Sequence, residues 1–256
     1  MTTAIPSLRR LTPQAAVLLL VAAVAWLATV GRAATMQGMT GTMGLGLAGF
    51  VGMWALMMAA MMLPSVAPVA SMYQRSVRSH RALRLAGFTA GYLIAWAGAG
   101  IPAYLLTALA TRLVSDHPAR ATATAVAVFA SCGVYQLTPL KSRCLRHCRS
   151  PLSLLLHYGA YRGWLRDVRA GAHHGAHCLG CCWSLMALFV VLGVMNLAAM
   201  VVLAVVVLVE KLWVHGGVLA QAVGVAALVL AVAAIWLPAL APGLHATNQT
   251  MSMTGS

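Results

Sequence analysis

The chain has 256 residues, of which 61% are hydrophobic and only 8% charged, and its formal net charge at pH 7 is +14. Its mean hydropathy is +0.86, and an average soluble domain carries roughly 25% charged residues, so the composition excludes a soluble globular protein. It predicts an all-α, polytopic bundle of transmembrane helices. The positive charge does not indicate a nucleic-acid partner, because the basic residues fall in short segments between apolar runs, where they meet the lipid bilayer.

Seven apolar runs approach or exceed the ~20 residues that a transmembrane helix needs. The predicted spans are 13–30, 46–66, 85–109, 121–140, 179–194, 197–212 and 218–240. The fifth and sixth are short and meet near Gly193 and Asn196, so the alternative is one long helix and six spans. We predict a single transmembrane domain over residues 1–242 and a disordered polar tail over 243–256.

Lysine and arginine are unevenly divided between alternate polar segments. In the seven-span arrangement only Arg32, Arg112 and Arg120 lie opposite the N-terminus, and the other 14 of the 17 basic residues lie on its side. The positive-inside rule then predicts a cytoplasmic N-terminus, in the inner membrane of a bacterium. The long loop 141–182 would face the cytoplasm, and its part 151–169 is predicted to form an amphipathic helix at the interface.

The second span carries a methionine stripe. Met53, Met57 and Met61 recur every four residues and share one helical face, and Met58 and Met62 form a neighbouring row. Thioethers bind Cu(I), so the stripe is either a conduit for the ion or packing by flexible side chains. Further methionines would lie on the outer side: Met36, Met39, Met43, Met251 and Met253.

Short cysteine and histidine segments begin and end the long loop. They supply seven candidate metal ligands: Cys144, His147, Cys148, His177, Cys178, Cys181 and Cys182. Cys144 and Cys148 would share a helical face, and Cys178 and Cys181 form a CxxC pair. Thiolates suit Cu(I), Zn or iron–sulfur clusters, and a cytoplasmic location argues against structural disulfides. Cys132, inside a span, is interpreted as a small buried hydrophobe.

One of only three acidic residues, Glu210, ends an apolar run. An ionisable side chain at such a depth indicates a functional site. Lys211 would point away from it around the helix, so Lys141 is the candidate partner, and Gln136 is a further polar candidate. The alternatives are that Glu210 is a metal ligand or a proton acceptor, or that Glu210 and Lys211 form a pair at the interface. Pro139 is predicted to break the fourth span.

Three segments resemble the bacterial predicted metal-binding integral membrane proteins, a family of unknown function. They are MMAAMMLPSVAPV (57–69), YQLTPLKSRCLRHCRSP (135–151) and HCLGCCWSLM (177–186), and the Glu210-Lys211 pair is similar too. The resemblance covers about residues 53–211. It implies roles for Cys144, Cys148, Cys178, Cys181, Cys182, Met61, Met62 and Pro64.

These features predict a protein that handles a soft metal in the membrane, with Cu(I) as the favoured ion and Zn as the alternative. It would take up or transfer the ion, or deliver it to a membrane metalloenzyme or a metallochaperone. One alternative is a thiol–disulfide oxidoreductase that uses Cys178 and Cys181. The other is a non-catalytic assembly or structural subunit. The sequence carries no nucleophile–base pair or phosphate loop, which favours a non-enzymatic role.

Overall fold

In the computed structural model, the described residues are 13–36, 41–76, 80–115, 118–149 and 161–244, and most of them are helical. The helices are α1 (Pro13–Thr35), α2 (Leu47–Arg75), α3 (Arg81–Ser115), α4 (Pro118–Leu137), α5 (Pro139–Arg149), α6 (Arg166–Leu192), α7 (Leu197–Leu212) and α8 (Gly216–Trp236), followed by a 3-10 turn at Pro238–Leu240. The described ranges contain no strand, which confirms the all-α prediction.

Five of the helices, α1, α2, α3, α6 and α8, are long and apolar enough to cross a membrane, judged by length and composition. The bent pair α4 and α5 makes a sixth if it is counted as one span. Helix α7 has 16 residues, which extend about 24 Å, less than the ~30 Å hydrocarbon core of a bilayer. Within the described ranges, the seven predicted spans therefore become five or six candidates.

The alternative of one helix through the fifth and sixth predicted spans is wrong. Helix α6 ends at Leu192 and α7 begins at Leu197. Gly193 lies between them with φ of 93°, a backbone conformation that side chains with a Cβ rarely adopt. Asn196 then caps α7 by accepting a hydrogen bond from the backbone N–H of Ala199 at 3.1 Å.

The predicted loop over 141–182 is wrong at both ends, because α5 and α6 occupy them. Close packing against α3 explains why the polar start of α6 is helical. A Cβ at Gly171 would overlap the carbonyl of Phe88, and one at Gly91 would overlap the carbonyl of Val168. The two backbones thus touch through small residues, as closely packed membrane helices do.

Most of the predicted interfacial helix 151–169 lies outside the described residues. Residues 161–165 are not helical, and 166–169 form the start of α6. Also outside them are Met39, Met251, Met253 and the predicted tail from residue 245 onward.

The predicted proline break is confirmed. Helices α4 and α5 meet at a 64° bend, because Pro139 has no N–H with which to continue the helix. The Thr138 hydroxyl donates a hydrogen bond to the carbonyl of Tyr135 at 2.7 Å, and so satisfies one of the backbone groups that the bend frees. The bend directs α5 towards α6 and α7, which it contacts.

Candidate metal centre

The two cysteine segments meet where α5 lies against α6. The thiol of Cys181 lies close enough to Cys148 on α5 and to Cys182 on its own helix to interact with them electrostatically. Cys182 interacts in the same way with Cys178, one turn earlier. All four are buried. They form a series of neighbouring thiols, which we call the thiol row (Cys148, Cys181, Cys182 and Cys178).

Cys144 and Cys132 lie outside the thiol row. Cys144 is half-buried, and its Sγ faces Gly180, where an added Cβ would stand 3.5 Å from it. Cys132 is buried on α4. Cys144 thus borders α6 beside the thiol row, whereas Cys132 lies on a different helix.

The end of the thiol row at Cys178 is surrounded by polar groups from three other helices. Lys211 on α7 donates from Nζ to Cys178 Sγ at 2.8 Å, and the hydroxyl of Tyr92 on α3 lies 3.1 Å from the same sulfur. Lys211 also donates to the Ser65 hydroxyl on α2 at 3.1 Å. Residues that are far apart in the sequence therefore converge on one thiol.

Three of these residues, Lys211, Tyr92 and Ser65, were not among the predicted site residues. Lys211 entered the predictions only as the neighbour of Glu210. Helical geometry could have indicated where Lys211 points, because the side chains of adjacent residues on a helix point about 100° apart. A lysine beside Glu210 at the end of an apolar helix must therefore face a different neighbour. Nothing in the sequence around Tyr92 separates it from an ordinary core aromatic residue.

The predicted pairing of Glu210 with Lys141 is confirmed. Lys141 Nζ lies 2.7 Å from Glu210 Oε2, and each side chain is 1% exposed. Lys141 also donates to the carbonyl of Cys181 at 2.8 Å, and Gln136 Nε2 donates to Glu210 Oε1 at 3.2 Å. This buried network attaches α4, α5 and α7 to the backbone of the thiol row.

The predicted histidines lie together beside the cysteines. The rings of His147 on α5 and His177 on α6 stack with centroids 4.1 Å apart, and those of His173 and His177 are 4.6 Å apart. His177 Nδ1 lies 3.0 Å from the carbonyl of His173. If Nδ1 donates that hydrogen bond, the neutral ring keeps its lone pair on Nε2, the tautomer that can ligate a metal.

All the methionines of the predicted stripe are buried, with exposures of 7% or less. They belong to the same hydrophobic core as the thiol row. Pro64 and Pro68 lie inside the same helix, and Ser65 donates to the carbonyl of Met62 at 2.8 Å. Burial agrees with the packing interpretation, and the conduit stays a prediction.

Within the described ranges, no three His, Cys, Asp or Glu side chains are arranged so that they could hold one metal ion. Cys178 instead contacts Tyr92 and Lys211. Neighbouring thiols still supply pairs of soft donors, such as Cys178 and Cys182. The seven-residue ligand set therefore stays a prediction, although four of its members are neighbours.

Over the described residues, the fold and this site define an all-helical protein with five or six candidate membrane spans and a buried row of soft ligands. The family model described as PpoB2, copper chaperone, matches residues 51–251, well over half of the chain. The chain belongs to this copper chaperone family, and copper is the metal that it handles. No curated protein and no solved structure matches it.

Proposed function

We propose that this protein is an integral membrane copper chaperone that binds Cu(I) at the thiol row and passes it to a copper-dependent partner. The observation that carries the proposal is the thiol row itself, a set of four buried, neighbouring thiols on α5 and α6. Thiolates are soft ligands that favour Cu(I). Each coordinating thiol releases its proton when the ion binds.

The arrangement of the sulfur atoms suits transfer better than storage. A chaperone has to release its ion, and a fully preorganised cage of ligands would oppose release. In the thiol row, each thiol lies next to another one. Cu(I) held by one pair of sulfur atoms can therefore exchange one ligand at a time along the row, from Cys178 towards Cys148.

Helix length and charge support a location in the bacterial inner membrane. The helices supply five or six apolar candidates for spans. The segment 141–169, which runs from α5 to the first turn of α6, carries seven basic residues: Lys141, Arg143, Arg146, Arg149, Arg162, Arg166 and Arg169. The positive-inside rule assigns this segment to the cytoplasm, so Cys148 would lie towards the cytoplasmic side and receive or release copper there.

Metal analysis of matched cysteine variants tests the proposal. Purified protein in detergent is loaded anaerobically with Cu(I), unbound copper is removed, and the ratio of copper to protein is measured. We expect the wild type to retain copper, and Cys178→Ser and Cys182→Ser to lose most of it. Cys132→Ser is the matched control, because that residue is equally buried but lies outside the thiol row. Thermal unfolding of each variant shows that it is folded.

Two results would contradict the proposal. One is a wild type that retains no Cu(I), and the other is a loss of copper in Cys132→Ser as large as in Cys178→Ser. Counting free thiols in the same samples distinguishes the oxidoreductase alternative. A chaperone keeps its thiols reduced while copper moves to an acceptor, whereas an oxidoreductase accumulates a disulfide between Cys178 and Cys181.

A further inference from the structure

The charges around the thiol row do not cancel. Lys141 and Glu210 neutralise each other at 2.7 Å. The other carboxylate of the described residues, Asp167, pairs with Arg84 at 2.8 Å. Lys211 instead donates to a thiol and to a hydroxyl. Among the described residues, one positive charge therefore stands at Cys178 without a carboxylate to balance it.

This extra charge is directed at the end of the row that offers two adjacent sulfur atoms on one helix. Cys178 and Cys182 are one turn apart on α6, are both fully buried, and interact electrostatically with each other. The positive charge of Lys211 acts on both of them. A metal ion held by this pair would thus be bound beside an ammonium group.

We infer that Lys211 is the counter-ion of a two-thiolate metal complex at Cys178 and Cys182 and makes the site selective for a monovalent ion. The inference rests on the proposed function. Two thiolates carry two negative charges, and the Lys211 ammonium supplies one positive charge. A monovalent Cu(I) makes the buried group neutral, whereas divalent Zn(II) leaves it with one uncompensated positive charge, which is unfavourable in a buried site.

The surroundings of Lys211 allow it to stay in place while a metal binds. Its ammonium also contacts the Ser65 hydroxyl, and Ser65 is itself fixed by donating to the carbonyl of Met62. A thiolate that binds a metal keeps lone pairs, so it can still accept the hydrogen bond from Lys211. The lysine therefore acts as a specificity-determining residue through charge and position, without ligating the ion.

Competition measurements on charge variants test the inference. Wild type, Lys211→Met and Lys211→Arg are titrated anaerobically with a Cu(I) chelator and separately with a Zn(II) chelator. We expect Lys211→Met to lower the affinity for Cu(I) by about ten- to a hundredfold, the range for losing a hydrogen bond to a charged group. Its affinity for Zn(II) should stay unchanged or rise. Lys211→Arg keeps the charge and should preserve most of the preference for Cu(I).

Arg112→Gln is the matched control, since it removes one positive charge from an exposed position in the last turn of α3. It should leave both affinities unchanged. The inference is wrong if Lys211→Met keeps the wild-type ratio of Cu(I) to Zn(II) affinity, or if Lys211→Arg loses that ratio as fully as Lys211→Met. Failure of the wild type to bind Cu(I) would instead contradict the proposed function.

A second variant covers the case in which Lys211→Met does not fold. Ser65→Ala keeps the charge but removes the hydroxyl that positions the ammonium. We expect it to lower Cu(I) affinity a few-fold and to leave Zn(II) affinity unchanged. Unchanged affinity for Cu(I) in Ser65→Ala would overturn the inference by itself.

Discussion

Lys141 and Lys211 both reach the thiol row, but they meet opposite kinds of partner. Lys141 is fully buried and faces the carboxylate of Glu210, so its charge is cancelled within the protein. Lys211 faces the sulfur of Cys178 and the hydroxyl of Ser65. Neither of these groups is a carboxylate, so the charge of Lys211 acts on any ion that binds at that sulfur. The difference teaches that one buried lysine stabilises the fold of the site, while the other sets the charge that the site can accept.

The largest expected effect is the loss of the neutralised pair. Lys141→Met leaves Glu210 buried without a counter-charge, and we expect the free energy of unfolding to fall by about 3–5 kcal/mol. Chemical denaturation in detergent, followed by circular dichroism, measures this change. The double variant Lys141→Met/Glu210→Met should recover most of the loss, because it removes both charges. A single variant as stable as the wild type would contradict the structural role given to Lys141.

A glycine substitution in α6 should disturb both lysine environments together. A Cβ at Gly171 would overlap the backbone of Phe88 on α3. We therefore expect Gly171→Ala to destabilise the protein by about 1–3 kcal/mol and to weaken copper binding at the same time. Gly98→Ala is the control on α3, because an added Cβ there meets nothing within 4 Å. Equal melting temperatures for the two variants would refute the close contact between α3 and α6.

Lys211→Met should have a much smaller effect on stability than Lys141→Met. No carboxylate among the described residues loses its partner, and Cys178 keeps its contact with the Tyr92 hydroxyl. We expect a change of about 1 kcal/mol or less in the same unfolding experiment. A loss as large as that of Lys141→Met would remove the contrast between the two lysines.

The methionines of α2 should have the smallest effect on copper binding. Met57→Leu and Met61→Leu nearly conserve volume, so stability should change by less than about 1.5 kcal/mol. Copper content at equilibrium should stay at the wild-type level, because the thioethers are not part of the thiol row. A fall in that content would show that the methionines hold the ion. The rate of copper uptake is the separate test of the conduit, which predicts slower loading of both variants.

Hydrophobic run length was the reliable signal for the fold. It predicted the six helices α1–α4, α7 and α8, and for α7 the predicted bounds are those of the structure. It failed at α6, where the segment 166–178 is polar and rich in histidine. That segment is helical because Gly171 lets it pack directly on α3, and a window of hydropathy does not register a contact between distant helices.

The chemistry of the site was predictable where a buried side chain without a suitable partner would cost much free energy. A glutamate at the end of an apolar run needs a cation, which made Lys141 the natural partner of Glu210. Cysteines near one another in sequence could be grouped because residues four apart share a helical face. The role of Lys211 was not predictable, because it depends on α2, α3 and α6 bringing Ser65, Tyr92 and Cys178 to one point. Such a point exists only in three dimensions.

The cysteines of the thiol row are synthesised before Glu210 and Lys211. Its sulfur atoms all lie within residues 148–182, whereas Glu210 and Lys211 come nearly thirty residues later. At 5–20 residues per second, a ribosome needs roughly 1.5–6 s to cover that distance. During this interval the nascent chain holds four thiols and Lys141 without the residues that balance and position them. The centre is therefore completed by α7, and a chain that stops before α7 would carry the cysteines without the charges that organise them.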